Sequence, residues 1–213
     1  MATEETRNKI AKTALQMFSL RGCRAVTMDD IAQTLHISKR TLYETYANKE
    51  ELLAECLKMV HDSINSRHIK AHSRVDEPLL VAMYMLRANA NSNQKYHLLL
   101  EEAERYYPEI HDRYFKIHSE AMRKMMQQGF AYAKQHHYLR EDADIDVAVD
   151  FMCDLLQQHR MTAYAEPQRH VRLINEVCFT YLRGMMNVEA IERYEKAEDN
   201  FRQVLASLDQ DEE

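Results

Sequence analysis

Hydrophobic side chains recur at three- and four-residue intervals along most of the chain, the spacing of one helix face. Ile10, Ala14, Leu15 and Phe18 form the first stripe, with Arg7, Lys9 and Lys12 on other faces, so a helix is predicted over 4–20. Gly22 follows where a left-handed residue commonly ends a helix. Thr27 is an N-cap for a short helix over 28–35, with Asp29 and Asp30 at the positive end of its dipole and Ile31, Ala32 and Leu35 facing inward. His36 and Ile37 form a tight turn. Ser38 caps a third helix over 39–47, and Asn48 a fourth from Lys49 to about 66.

Beyond a polar connection at 67–78, further helices are expected over 78–91 and 94–105, then a long one from Pro108 to about 135. Residues 136–144 read as a loop. Helices over 144–164 and 167–187, parted at Glu166-Pro167, and a charged helix over 189–207 complete the chain. Three Gly and three Pro in 213 residues leave few breakers, so the fold class expected is all-α.

The second and third helices carry the pattern Ile31-Ala32-x-x-Leu35-x-Ile37-x-x-x-x-Leu42. Small Ala32 permits close approach, and the larger side chains fill the angle of a helix-turn-helix above Phe18. Charge sharpens this reading. Net charge is −6, yet residues 1–49 hold eight Lys and Arg against five acids, a balance of +3, which leaves −9 on the rest. A basic head on an acidic body suits nucleic-acid binding. His36 stands in the turn; should its φ be positive, histidine tolerates it better than a β-branched residue does.

The first helix ending in MFSLRG, the Thr27 cap and the run DDIAQTLHISKRTLYETYANKEELL together resemble the DNA-binding region of the TetR family of bacterial transcriptional repressors. The resemblance covers residues 7–53, about a quarter of the chain. It implies a three-helix DNA-binding domain over 1–48 and a larger helical ligand-binding and dimerisation domain over 49–213. It also implies a third helix lying in the major groove with its N-terminal residues near base edges. Lys39, Arg40 and Thr41 occupy that end; Arg and Lys suit guanine, and Thr suits a thymine methyl. Tyr43 and Lys49 resemble the family's phosphate contacts, Thr27 would add a phosphate contact to its capping role, and Thr45 occupies a position that often faces DNA. Tyr46 is expected in the core with Leu42. Glu44 is open between facing solvent and accepting from cytosine N4.

The family pattern further implies a homodimer joined by the last two long helices, for which Phe151, Leu155, Ile174, Cys178, Tyr181 and Leu182 are candidates. It implies a pocket for a small apolar or amphipathic effector, with Met83, Tyr84, Tyr96, Leu99, Phe115, His118, Met122 and Met125 as candidate lining. Such Met and Tyr stripes equally suit plain core, and both readings stand at this stage. Repression of a palindromic operator on double-stranded DNA is the family's usual activity.

Competing readings rest on fewer residues. A metal site would draw on His111 and His118 with Glu104 or Asp112, but the two His are seven apart rather than at ligand-pair spacing. A redox sensor would draw on Cys56, and a helical protein–protein adaptor is a further alternative. Neither a phosphate-cradling Gly loop nor a nucleophile elbow occurs, so no enzyme, cofactor or metal is expected. The polar N-terminus and the absence of a long apolar run favour a cytoplasmic protein without a membrane span. Four widely spaced Cys suit reduced thiols.

Overall fold

Each short helix begins on a side chain that satisfies its first free amides. The computed structural model describes residues 3–74, 95–159, 166–197 and Gln203, and no strand occurs among them. Helices α1 (Glu4–Arg21), α2 (Met28–Thr34), α3 (Lys39–Thr45) and α4 (Lys49–Arg74) come first. Then follow α5 (95–106), α6 (Pro108–Gln135) and α7 (Ile145–Gln158). Helix α8 joins Pro167–Leu173, Ile174–Cys178 and Phe179–Met185 without a break, and α9 covers 188–197. The helix expected over 78–91 lies outside the described residues.

The expected caps are made. Thr27 and Asp30 form a reciprocal capping box: the Asp30 amide donates to Thr27 Oγ1 at 3.1 Å and the Thr27 amide to Asp30 Oδ2 at 2.8 Å. Ser38 Oγ accepts from the Thr41 amide at 3.0 Å, and Asn48 Oδ1 from the Glu51 amide at 2.8 Å. Helix α4 runs through Arg74, so much of the expected connection at 67–78 is helical. No breaker occurs between Lys49 and Arg74 to stop it.

Chain contacts divide the molecule into two compact units, residues 1–63 with 94–118, and residues 64–93 with 119–213. In the first, Ile10, Phe18, Ile31, Leu42, Tyr46, Leu53 and Cys56 are buried, together with Leu99, Leu100 and Ala103 of α5. In the second, one core gathers Met125, Met126 and Phe130 of α6, Val149 and Met152 of α7, Ile174, Cys178 and Leu182 of α8, and Tyr194 of α9. There the α6–α7 loop pairs with the end of α8. Leu139 and Met186 form an isolated antiparallel bridge, with Arg140 N donating to Met185 O at 2.9 Å and Asn187 N to Tyr138 O at 2.9 Å.

Candidate DNA-binding surface

The turn between α2 and α3 fixes how α3 is presented. His36 N donates to Gln33 O at 3.1 Å and Ile37 N to Ala32 O at 3.0 Å, the paired bonds of a Schellman end. His36 has φ 54°, so histidine stands in the left-handed position that glycine usually takes. Ile31, Ala32 and Leu42 are buried as expected, while Leu35 and Ile37 are partly covered.

Helix α3 therefore shows its N-terminal half to solvent. The Arg40 side chain is 87% exposed and donates from Nε to Glu44 Oε1 at 2.7 Å, one helical turn on. Lys39 Nζ lies 2.5 Å from Asp29 Oδ2 of α2, a pairing that raises the lysine's pKa. Thr41 shares a hydrogen bond with Ser38 at 2.8 Å, and Tyr43 is 49% exposed. Thr45 does not join this surface. It is buried, and its hydroxyl donates to Thr41 O at 2.7 Å, because the 3.6-residue period turns position 45 toward α1.

Two features of the head have no signature in local spacing. Arg7 of α1 donates to Thr45 O at 3.0 Å and lies 4.2 Å above the ring of fully buried Tyr46, whose hydroxyl donates back to Arg7 O at 3.3 Å. Burial, partly opposed by Arg7, pushes the Tyr46 phenol up to about 12. The second feature is a grip on the α1–α2 turn by α5. Arg24 N donates to Glu102 Oε2 at 2.7 Å, and Arg24 Nη1 donates to the Tyr106 hydroxyl at 3.1 Å. Lys49 Nζ donates to Arg24 O at 3.4 Å from the start of α4. Gly22 opens this turn at φ 82° and ψ 151°, a region essentially closed to other residues and distinct from the left-handed helical one expected there.

The sequence profile of the bacterial regulatory proteins, tetR family, matches residues 10–56, the segment that builds this surface. The HTH-type transcriptional repressor KstR2 of Mycobacterium tuberculosis is 27% identical over 152 residues, 70% of this chain and 76% of that protein. Residues 10–56 carry the DNA-binding segment of the TetR family. The chain is a DNA-binding transcriptional regulator. Solved TetR-like structures share the fold. The ketosteroid regulator KstR2 of M. tuberculosis aligns with a TM-score of 0.57 at 24% identity, covering 87% of this chain and 97% of that one. A regulator from Cytophaga hutchinsonii aligns at 0.74 with 14% identity, covering 84% and 98%.

The candidates beyond the matched segment fall into separate places. Tyr96, Leu99, Phe115 and His118 belong to the first unit, Met122 and Met125 to the second. Met83 and Tyr84 lie outside the described residues. Leu99 is fully buried, and His118 lies beside His61 and Tyr114, with ring centroids 6.0 Å and 6.1 Å away. Burial, with a smaller effect of His61, pulls the His118 imidazole down to about 4. Met122 and Met125 belong to the core of the second unit.

Of the interface candidates, Ile174, Cys178 and Leu182 are also in that core, and Cys178 is 0% exposed. They have no surface to give a partner. Phe151 is exposed, and Leu155 and Tyr181 are partly so. Phe151 stands 4.8 Å from Tyr181, and Val147 and Val177 are exposed beside them in sequence. Among the described residues no group of three His, Cys, Asp or Glu side chains is placed to hold a metal. None of their helices is long and apolar enough to cross a membrane.

Proposed function

We propose that the chain represses transcription in the cytoplasm as a homodimer on a two-fold symmetric operator, and releases DNA when a small apolar or amphipathic effector binds its body. Residues 1–48 serve as the DNA-binding head and 49–213 as the effector and dimer domain. The observation that carries this reading is the exposed N-terminal half of α3, with Lys39 and Arg40 outermost on a head that α1 and α2 hold rigid from behind. The name of the 27%-identical relative, a transcriptional repressor, supports the sign of regulation.

In this reading Lys39, Arg40 and Thr41 meet base edges, and Tyr43 and Lys49 hold phosphates. The ion pairs that Lys39 and Arg40 make with Asp29 and Glu44 are exposed and screened by solvent, so guanine or phosphate displaces them at little cost. Thr27 caps α2 first: its hydroxyl donates to Asp30 Oδ2 at 2.8 Å while accepting from the Asp30 amide. Tyr96, Leu99, Phe115 and His118 of the first unit remain proposed effector contacts, whereas Met122 and Met125 are core residues of the second. Whatever effector binds the non-operator state better must weaken DNA binding by the same factor.

Footprinting on the DNA upstream of the protein's own gene, followed by anisotropy titrations on that site, tests the reading. Lys49→Ala and Tyr43→Phe are expected to weaken binding across all sequences, and Lys49→Ala to lower the salt slope by about one. Arg40→Ala is expected to cost about 1–3 kcal/mol and to relax preference at one base pair. Equal, sequence-independent binding by the wild-type protein to any duplex would sink the proposal.

A further inference from the structure

We infer that Glu102, which lies outside the matched DNA-binding segment, is a positioning residue for DNA binding, acting through the backbone of Arg24 on Lys49. The inference rests on the regulator reading above and adds to it a residue that local sequence does not mark.

Three observations meet at one turn, all within the first unit. The Arg24 amide donates to Glu102 Oε2 at 2.7 Å, across 78 residues of chain. The carbonyl of the same residue accepts from Lys49 Nζ at 3.4 Å. Gly22, two residues earlier, leaves the space in which the carboxylate sits: a Cβ added there would overlap Glu102, with its Cδ and Oε1 only 2.6 Å away. One residue thus carries a carboxylate on its N–H and the proposed phosphate-holding lysine on its C=O, on the two peptide groups that flank its Cα. The carboxylate fixes the peptide plane before Arg24 Cα and the lysine meets the plane after it, so the position of the carbonyl depends on the carboxylate.

The Arg24 side chain is drawn into the same arrangement. Its guanidinium lies 4.9 Å above the Tyr106 ring and donates to the Tyr106 hydroxyl at 3.1 Å, so α5 holds both the backbone and the side chain of this residue. Cys23, next to it, is fully buried, and burial together with the nearby Glu102 carboxylate pushes its thiol up to about 12. The turn leads directly into Thr27 and α2, the helix against which α3 is set. A carboxylate that fixes the turn therefore fixes the distance between Lys49 and the N-terminus of α2. Both must meet one phosphate backbone in register, since phosphate contacts set the orientation of the reading helix.

The test uses the full chain on its footprinted operator. Glu102→Ala is expected to weaken operator affinity about tenfold, the scale of a lost charge-assisted hydrogen bond. Glu102→Gln, whose amide oxygen still accepts from the Arg24 amide, should recover most of that loss. In a Lys49→Ala background Glu102→Ala should cost at most about twofold, because the lysine through which it acts is gone. Hydrogen exchange at the Arg24 amide needs no DNA: protection should fall in Glu102→Ala and persist in Glu102→Gln. Wild-type affinity in Glu102→Ala, equal losses for Ala and Gln, additivity with Lys49→Ala, or unchanged Arg24 protection would each overturn the inference. Should Glu102→Ala not fold, Glu102→Asp, which withdraws the charge by one methylene, carries the same comparisons. Failure of the wild-type protein to select any operator would instead count against the regulator reading, and the exchange measurement then decides the role of Glu102 by itself.

Discussion

His118 illustrates how burial converts a residue into a pH-dependent element of stability. Its imidazole is pulled from near 6.5 to about 4 by burial, with His61 adding a smaller push, and Tyr114 stacks on it. The fold thus favours the neutral form. Above pH 6.5 both folded and unfolded chains leave it neutral and the stability is whole. As pH falls from 6.5 toward 4 the unfolded chain takes up a proton that the folded chain refuses, and stability drops. At about 1.4 kcal/mol per pKa unit the loss reaches roughly 3 kcal/mol. His170 in the second unit is shifted the same way by burial and His159, so the informative quantity is a difference. Urea denaturation at pH 7 and pH 4.5 is expected to show a smaller pH loss in His118→Gln than in wild type. Identical losses would mean that His118 is not the group responsible. The candidate status of His118 was visible in the sequence, but its partners were not, since His61 and Tyr114 lie 57 and four positions away on two different helices.

At the scale of elements, the helix ends were largely legible and the helix faces less so. Thr27, Ser38 and Asn48 cap the helices they precede because a short polar side chain there satisfies amides that lack intrahelical partners. In a helix as short as α2 one cap is a large share of the hydrogen bonding, and Thr27→Ala is expected to destabilise the chain by about 1 kcal/mol in urea denaturation, with Thr27→Ser close to wild type. An unchanged midpoint in Thr27→Ala would show that the box contributes nothing. The Asp30 carboxyl, held below its ordinary range by the Thr27 amide, belongs to the same box, so the difference should shrink in acid as that carboxylate protonates. The second Schellman end was less legible: His137, with φ 55°, closes α6 just as His36 closes α2, although histidine gives no strong signal for that conformation. The face of α8 escaped a simple period altogether. Its residues Ile174–Cys178 form a π turn, which takes more residues per turn than an α-helix and so shifts the positions after it relative to an ideal 3.6-residue stripe. Ile174, Cys178 and Leu182 consequently pack into their own unit, and Val177 and Tyr181 are left toward the surface.

For the whole molecule the decisive prediction concerns association. Removing the buried set from the proposed dimer face leaves Phe151 and Leu155 of α7 with Tyr181 of α8, to which the exposed Val147 and Val177 are added, beside an open groove of about 340 Å³ lined in part by Val147, Tyr181 and Met185. Phe151 is 42% exposed, a large aromatic of the kind that anchors interfaces. Light scattering on Val147→Asp/Phe151→Glu should show a shift from dimer to monomer, and operator affinity should fall by about tenfold or more, because a single head with few cations binds DNA weakly. A double variant that stays dimeric would remove this face from the proposal. The all-helical class, the caps, the helix-turn-helix and its family follow from sequence alone, because propensity, capping and hydrophobic period act between residues a few positions apart. Tertiary structure decided that Thr45 is turned inward, that three of the four α8 candidates are core, and that Glu102 reaches across 78 residues to the α1–α2 turn. Those outcomes depend on which distant helix covers a given face, and no local pattern encodes that choice.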